Sequence, residues 1–289
     1  MTSPPRPEDS HFLVVGLARN AAQSLTADVA RTADVLKFAD RISWLVIESD
    51  SEDETLSTLE ELATRYENFR VVSLGTLRDT LPKRTERIAH CRNAYLDLVA
   101  QDYADVDYVI LSDMDNLNQK LTTQGVLSCW ERDDWGACTA NQSGRYYDIF
   151  ALRHDAWCPN DCAQQQAFMA QHGAGFIWSR LASVYLKMLR IPQDADWIEV
   201  RSSFGGFAIY RRDALLAGRY TGTYPDGREI CEHVPFHAML REAGWKLFIN
   251  PRLINAHYTD HMPWGVALRK FRHYRRLFLE RVGLKAPKT

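Results

Sequence analysis

The stretch Tyr108-Val-Ile-Leu-Ser-Asp-Met-Asp-Asn116 decides how the rest of the chain is interpreted. Its first four residues are largely apolar, as in a buried strand, and two aspartates separated by one residue follow where that strand would end. A carboxylate pair at a strand end can hold a hard divalent cation through oxygen, and such a cation can in turn hold a diphosphate. By itself, however, the Asp-x-Asp triplet is weak evidence for a metal site and is more often an acidic turn.

The composition of the chain predicts a globular protein with one large domain or two small ones. With 289 residues, of which 46% are hydrophobic and 25% charged, the chain can bury a full core without disulfides. The net charge of −2 argues against a nucleic-acid partner, because binding to phosphates needs a basic surplus. Six cysteines in so long a chain do not form a disulfide framework, so we expect free and mostly buried thiols.

The sequence contains no segment that is predicted to span a membrane. No run of about 18 apolar residues occurs, and residues 1–10 are polar and proline-rich. We therefore expect a flexible N-terminus over residues 1–10 and a cytoplasmic protein. Residues 261–289 predict a basic amphipathic helix, packed on the domain or, alternatively, lying on an anionic membrane or a lipid-diphosphate acceptor. The second arrangement would place the protein peripherally at the inner face of the membrane.

Strands and helices alternate through the first 120 residues. The predicted strands lie at residues 12–17, 42–47, 69–74 and 108–111, and the predicted helices at 21–40, 56–66 and 85–99. This alternation predicts an α/β fold with a mostly parallel sheet flanked by helices. Ligands bind at the carboxyl ends of such strands, where three polar segments would converge. These segments are Arg19 with Asn20, Glu48 through Asp53, and Asp113 with Asp115.

Later segments follow a less regular pattern. We predict strands at 135–139, 146–153 and 201–210, the last entered through two glycines that indicate either a close backbone approach or a simple bulge. Residues 154–200 predict an inserted helical or loop region over the edge of the sheet. On the helix at 85–99, Arg92 lies beside the apolar stripe and needs an anionic partner, which is either a carboxylate of the protein or a ligand phosphate.

Taken in chain order, these motifs resemble those of GT-A (Rossmann-like) glycosyltransferases. Glu48-Ser-Asp-Ser-Glu-Asp-Glu-Thr55 is similar to the family's nucleoside-binding loop, with Asp50 in place of its glycine, and Asp113-Met-Asp115 matches the family's metal motif. Three further segments are similar to the Arg-Asn pair, the Glu-Asp helix and the strand ending in a histidine: Arg92-Asn-Ala94, Cys231 through Lys246, and Phe248 through His257. The resemblance implies a GT-A domain over 11–260, with a donor half at about 11–120 and an acceptor half at about 121–260.

Several stretches also resemble the fungal capsule α-1,3-mannosyltransferases. They are the Glu-Ser opening of the acidic loop, Arg87-Ile-Ala-x-x-Arg-Asn93, Tyr147-Asp-x-x-x-x-Arg153 and Asn250-Pro251. The resemblance implies a metal-dependent enzyme that moves a hexose, with mannose as one candidate, in surface polysaccharide or glycoconjugate synthesis. The donor would be a GDP- or UDP-linked sugar, and the acceptor the hydroxyl of a glycan or lipid-linked glycan.

The candidate site residues divide into metal ligands, donor contacts, catalytic residues and acceptor contacts. Mn²⁺ or Mg²⁺ would be bound by Asp113, Asp115 and His257. The donor would contact Arg19, Asn20, Glu48, Asp53, Arg92 and Asp113. Glu232 and His233 are the candidates for the chemical step, His233 standing where the family has its base. Aromatic faces and a carboxylate suited to a sugar acceptor come from Tyr147, Asp148 and Trp264.

Two other functions remain open at the level of sequence. A nucleotidyltransferase also pairs a parallel sheet with metal-binding carboxylates, but it would need a glycine-rich basic loop after the first strand. Gly16-Leu-Ala-Arg-Asn20 contains a single glycine. A sugar-binding protein without catalytic activity could keep the same fold and would be excluded by transfer or donor hydrolysis.

Overall fold

The computed structural model describes residues 5–257, which form one unit around an eight-stranded sheet. The order of the strands across the sheet is β3-β2-β1-β4-β7-β5-β8-β6. The strands are β1 (His11–Ala18), β2 (Arg41–Glu48), β3 (Phe69–Ser73), β4 (Tyr108–Ser112), β5 (Ala137–Gln142), β6 (Ile198–Val200), β7 (Phe207–Arg211) and β8 (Leu247–Ala256). The helices are α1 (Ala22–Val35), α2 (Thr55–Arg65), α3 (Arg84–Asp102), α4 (Thr123–Leu127), α5 (Cys162–Met169), α6 (Gly175–Ser183), α7 (Arg212–Leu216) and α8 (His233–Glu242).

The first four strands are parallel and adjacent, as the alternating pattern predicted. β1 pairs with β2 on one side and β4 on the other, and β2 pairs with β3. β7 then lies antiparallel between β4 and β5, while β5 and β8 are parallel to each other and β6 forms an antiparallel edge. The predicted α/β fold with a mostly parallel sheet in a single domain is confirmed. Its consequence is that β1, β2 and β4 end at the same edge.

The central strands are buried on both faces, which explains their continuous apolar sequences. In β1, Phe12 stacks on Tyr108 of β4 with a ring separation of 5.3 Å, and α1 covers that face of the sheet with buried Leu25 and Val29. Tyr95 and Val99 of α3 are also fully buried. This packing fixes the position of β4, whose end carries the two aspartates.

Two predicted elements differ from the structure. Residues 146–153 do not form a strand: they run as a packed loop with one isolated bridge between Arg153 and Ser202. Their apolar side chains are buried, so the apolar run reflects burial of a loop and not strand pairing. β7 begins only at Phe207, after the two glycines, and the short strand β6 was not predicted. The predicted helical insertion is present as α5 and α6.

The ends of the chain are described only in part. Pro7–Asp9, expected within a flexible N-terminus, form one turn of 3-10 helix, and the Tyr108 hydroxyl donates to the Pro5 carbonyl oxygen. The predicted helix at 261–289 and its Trp264 lie outside the described residues. No helix between residues 5 and 257 has the length and apolar character needed to span a membrane. All six cysteines are buried and free, as predicted.

Candidate active site

The predicted convergence of polar strand ends is present at the edge where β1, β2 and β4 finish. Asn20 joins two of these ends, because its side-chain oxygen accepts from the Glu52 amide at 2.8 Å and its own amide donates to Ser51 Oγ at 3.2 Å. Asn20 adopts a left-handed conformation with φ of 49°. Arg19 is exposed beside it and forms no ion pair with any residue from 5 to 257. It is therefore a cation available to a ligand.

The acidic loop after β2 is held together by its own carboxylates. Buried Glu48 accepts from the Ser51 amide at 3.0 Å and from Ser73 Oγ at 2.5 Å. Asp53 accepts from Thr55 Oγ1 and from the Ala22 amide, which begins α1. Glu48 and Asp53 therefore fix the shape of the loop. Both lie at the edge of the sheet where the sequence placed them.

Asp50 occupies the position at which the resemblance predicted a glycine, and its backbone conformation explains why an aspartate can replace glycine there. Its φ is 58°, in the left-handed region that favours glycine but that aspartate tolerates. The Asp50 carboxylate accepts from the amides of Leu77 and Arg78, both at 2.9 Å. It also lies 3.8 Å from the guanidinium of Arg87. The substitution thus keeps the backbone turn and adds a link to the segment before α3.

Asp113 and Asp115 leave β4 at the centre of this edge. The Asp113 amide donates to the Gly206 carbonyl oxygen at 2.9 Å, which extends the pairing of β4 with β7 by one residue. Asp115 is exposed, and the chain turns inward again two residues later at buried Leu117. That turn places Asn116 at a φ of 65°, and its amide donates to Asp28 of α1 at 2.7 Å. The motif is therefore a fixed turn that presents two carboxylates.

The electrostatic environment of Asp113 favours a bound cation. Burial, followed by the negative charge of Asp115, raises the pKa of Asp113 to about 7. Asp148 and Glu232 raise the pKa further, and Arg92 opposes them. Four carboxylates thus act on one another beside a single arginine. Oxygen ligands carrying an excess of negative charge suit Mg²⁺ or Mn²⁺, so the residues present fit a hard divalent cation.

This pKa predicts how the stability of the metal-free protein depends on pH. The folded-state pKa of Asp113 lies above the unfolded value of 3.8, so the folded protein keeps a proton that the unfolded chain loses. The contribution of Asp113 to stability is therefore expected to fall as pH rises from about 4 to about 7. The free energies of unfolding of wild type and Asp113→Asn should be measured in chelator across this pH range. We expect the stability of the variant relative to wild type to increase as the pH rises from about 4 to about 7. A difference in unfolding free energy that does not change with pH would contradict the raised pKa of Asp113.

Arg92 and Glu232 form a buried ion pair behind the aspartates. Arg92 Nε donates to Glu232 Oε1 at 3.0 Å, and both side chains are about 8% exposed. The guanidinium also lies over the rings of Phe204 and Tyr220, at 5.2 and 5.5 Å from their centroids. Of the two partners that the sequence allowed, the structure provides the carboxylate of the protein. Arg92 is thereby neutralised before any diphosphate arrives.

His233 lies inside the domain at the first turn of α8. Its ring stacks on Phe204 with a centroid separation of 4.3 Å, and the side chain is 2% exposed. Neither ring nitrogen has a hydrogen-bond partner within the described chain. Burial, followed by the positive charge of Arg92, lowers the pKa of His233 well below its usual value. This neutral, enclosed imidazole faces aromatic rings, and the catalytic roles of Glu232 and His233 stay predictions.

Tyr147 and Asp148 reach the site from the loop that was predicted to be a strand. Asp148 accepts from the amides of Gly205 and Ala151, at 3.0 and 3.2 Å. Burial, followed by the charges of Asp148 and Asp113, raises the pKa of Tyr147 well above 10. Tyr147 is therefore a neutral hydroxyl beside the carboxylates. The residues named for the acceptor thus lie close to those named for the metal.

His257 is not gathered into a ligand set with the two aspartates. It is exposed at the end of β8, where its Nδ1 lies 2.7 Å from Ser143 Oγ. Within residues 5–257, no group of three or more histidine, cysteine, aspartate and glutamate side chains has the spacing of a preformed metal site. The role of His257 as a third ligand stays a prediction, and Trp264 lies outside the described residues.

Three buried amides that sequence reasoning missed hold this site in place. Asn118 donates to the backbone oxygens of Asp113 and Gly206, at 2.9 and 3.3 Å. Asn255 donates to Asn118 Oδ1 at 2.8 Å and accepts from Gln142 at 3.2 Å. These amides connect β4, β5 and β8 across the sheet. The available signal was an uncharged polar residue inside an apolar strand, as at Asn255, because such a residue must find a partner when buried.

The two glycines before β7 complete the arrangement. Gly205 and Gly206 form a turn with φ values of 77° and 89°, a conformation that glycine adopts readily. A Cβ on Gly206 would lie 2.1 Å from Leu117 and 3.2 Å from the Tyr147 hydroxyl. Glycine at this position therefore lets β7, the aspartate turn and the loop at residues 146–153 meet.

Comparison with known proteins gives a match at the level of fold. No protein-family model and no curated sequence matches the chain. The mannosyltransferase PcManGT from Pyrobaculum calidifontis, solved with GDP-Man and Mn²⁺, aligns with a TM-score of 0.50 at 15% identity, over 99% of this chain and 67% of that one. Glucosyl-3-phosphoglycerate synthase from Mycobacterium tuberculosis, solved with UDP, aligns at 0.42 and 14%, over 96% and 82%. Residues 1–349 of S. aureus TarS align at 0.44 and 13%, over 83% and 57%.

The fold of residues 5–257 is therefore the GT-A fold, as the sequence resemblance implied. The similarity to PcManGT carries this conclusion, and at such low identity it concerns the fold alone. The finer similarity to the fungal capsule mannosyltransferases stays a prediction.

Proposed function

We propose that this protein is a metal-dependent glycosyltransferase that moves a hexose from a nucleotide-diphosphate sugar to a hydroxyl of a glycan or lipid-linked glycan. The observation that carries the proposal is the turn after β4, where Asp113 and Asp115 stand at the ligand-binding edge of the sheet among further carboxylates. The surroundings that raise the pKa of Asp113 to about 7 disfavour its negative charge when no cation is bound. A bound cation would compensate that charge.

Asp113 and Asp115 would hold Mn²⁺ or Mg²⁺, with His257 as the further ligand predicted from the sequence. The cation would supply Lewis-acid stabilisation of the negative charge that develops on the departing diphosphate. Arg19 would share that charge, because it is exposed at the same edge and has no carboxylate partner among residues 5–257. Arg92 acts through Glu232 instead, since the two are already paired.

The nucleoside of the donor would lie against the loop formed by Asn20, Glu48 and Asp53. Hydrogen bonds within the loop fix its shape before the donor binds. Fixing a binding loop in advance lowers the entropy cost of binding. We favour a GDP-linked donor and mannose as the hexose, since the sequence resembles the fungal capsule mannosyltransferases and PcManGT was solved with GDP-Man.

The acceptor would enter beside Tyr147 and Asp148. In the reaction, the acceptor oxygen forms a bond to the anomeric carbon while the bond from that carbon to the diphosphate oxygen breaks. Asp148 would orient the acceptor hydroxyl, and the neutral Tyr147 hydroxyl would donate a hydrogen bond to a sugar oxygen. Glu232, paired with Arg92, lies at the same site and is the candidate to receive the hydroxyl proton. The proposal includes a cytoplasmic location and a role in surface polysaccharide or glycoconjugate synthesis.

Donor binding is expected to stabilise the protein only when a divalent cation is present. Thermal unfolding should be followed with GDP-, UDP- and dTDP-linked hexoses, each with and without Mn²⁺. A donor at 100 times its dissociation constant adds about 2.7 kcal/mol to the free energy of unfolding, which is a shift of several degrees. We expect this shift with one donor base and Mn²⁺, and its loss in Asp115→Asn.

The matched control is Asp213→Asn, since Asp213 is an exposed aspartate remote from the site, with a side chain 85% exposed. It should keep the full shift. Stabilisation that persists in excess chelator would contradict the metal role, and the absence of any shift would contradict the donor site. Incubation of the stabilising donor with oligosaccharide acceptors then separates a transferase from a sugar-binding protein.

A further inference from the structure

The inserted helices α5 and α6 form a hairpin whose exposed surface is unusually apolar. Six large hydrophobic side chains lie open to solvent between residues 168 and 189, each 49% to 71% exposed. They are Phe168, Phe176, Ile177, Trp178, Leu186 and Leu189. We refer to these six residues as the hairpin patch. Only two other large hydrophobic residues of the described chain reach the same class of exposure, and both are 39% exposed.

The distribution of side chains on α6 is the reverse of that in an ordinary surface helix. Its buried residues are Ser179 and Ser183, whose hydroxyls donate back to the carbonyl oxygens of Gly175 and Ser179, both at 2.6 Å. Phe176, Ile177 and Trp178 in its first turn are about two-thirds exposed or more. A helix in contact with water normally buries its apolar side chains. This arrangement therefore needs an apolar environment on the outside.

The turn between the helices presents three of these side chains at the tip of the hairpin. Residues Ala170–Ala174 connect α5 to α6, with Gly173 at a φ of 90° and Gly175 at 66°. Neither glycine would meet a neighbouring atom if it carried a Cβ, so the tip stands clear of the rest of the described chain. Phe176, Ile177 and Trp178 follow at once. A projecting tip of this composition can enter a layer of lipid without a complementary protein groove.

The charge of the hairpin favours contact with an anionic surface. Residues 162–193 contain no aspartate or glutamate, whereas the whole chain has 37 acidic against 35 basic residues. The same segment contains Arg180, Lys187 and Arg190, of which both arginines are exposed. Tryptophan and phenylalanine beside basic side chains suit the boundary between anionic lipid headgroups and acyl chains. Basic residues near such a surface add attraction that salt screens.

We propose that the hairpin patch is a membrane-docking surface that inserts Phe176, Ile177 and Trp178 into the interface of an anionic lipid bilayer. The hairpin patch is a different segment of the sequence from residues 261–289, for which the sequence suggested membrane contact. It is also independent of the proposed transferase chemistry, since none of its residues belongs to the candidate active site. A second copy of the chain is the competing occupant of the patch, and the experiment distinguishes the two.

The test is flotation of the full-length protein with vesicles of phosphatidylcholine, alone or mixed with phosphatidylglycerol. Wild type should float with the mixed vesicles, and salt should weaken the binding. Phe176→Ser/Trp178→Ser should reduce the partition coefficient about tenfold or more, because it removes two aromatic groups from the interface. Leu56→Ser, at an exposed leucine of α2, should bind as wild type does.

Two further variants keep the test decisive. Trp178→Phe should still float but should lose most of the fluorescence quenching that bromine-labelled lipids cause in wild type. Arg269→Gln/Lys270→Gln/Arg272→Gln tests the C-terminal segment separately. The proposal is overturned if wild type fails to float, if the hairpin variants bind as wild type does, or if only the C-terminal variant is released. It is also overturned if wild type is a dimer in solution that Phe176→Ser/Trp178→Ser converts to a monomer.

Discussion

Replacing Asp115 by asparagine is expected to reduce hexose transfer by on the order of 10²–10³-fold while leaving the fold unchanged. Asp115 is exposed, so its charge contributes little to packing, and the amide cannot supply the anionic oxygen that a hard cation prefers. Initial rates at saturating Mn²⁺ and donor, with thermal unfolding measured alongside, provide the check. Asp213→Asn should retain the wild-type rate.

Asp113→Asn extends this prediction, because it should separate activity from stability in one variant. The substitution removes a charge that burial and Asp115 disfavour, so the metal-free protein is expected to become more stable above about pH 7 even as transfer is lost. Full activity of either aspartate variant would contradict the metal site. Loss of activity together with loss of the folded state in both would show instead that the turn is structural.

Replacing Arg92 by methionine is expected to destabilise the protein by about 3–5 kcal/mol, since it leaves the buried Glu232 carboxylate without its partner. The guanidinium also lies over Phe204 and Tyr220, and these contacts would be lost. Urea denaturation of the metal-free protein measures the effect. Arg92→Met/Glu232→Gln should recover a large part of the loss, because residue 232 then no longer carries a buried charge without a partner.

The matched control for Arg92 is Arg219→Met, which breaks an exposed ion pair. Arg219 and Asp97 lie 2.6 Å apart, but both side chains are about half exposed. Such pairs contribute about 0–1 kcal/mol. Equal destabilisation by the two methionine variants would contradict a special role for the buried pair. If the double variant is as unstable as Arg92→Met alone, then the aromatic contacts of Arg92 account for its contribution.

Local patterns were sufficient to predict the edge of the sheet where β1, β2 and β4 end. β1, β2 and β4 are continuous apolar strands separated by amphipathic helices, and their carboxyl ends meet at one edge because the strands are parallel. Asp113 and Asp115 therefore lie where the sequence placed them relative to Asn20 and Glu48. Even the unexpected Asp50 follows a local rule, since it occupies a backbone conformation that glycine or aspartate can adopt.

The loop at residues 146–153 and the surroundings of Arg92 could not be predicted in the same way, because their structure depends on contacts distant in sequence. The apolar run at 146–153 looks like a strand, but Asp148 turns the backbone by accepting from Ala151 and Gly205, the second of which lies 57 residues away. The partner of Arg92 lies 140 residues further along the chain. Periodicity carries no information about such partners.

The sequence by itself determined the class of fold, the edge of the sheet at which ligands are expected and the two aspartates at its centre, since all three follow from local periodicity and strand direction. Only the tertiary structure decided that Glu232 neutralises Arg92, that His233 is enclosed, and that Asn118, Asn255 and Gln142 hold the aspartate turn. It also revealed a hairpin with its apolar side facing outward. Burial and pairing of polar groups are properties of the packed chain, and they set the charge on which the proposed chemistry depends.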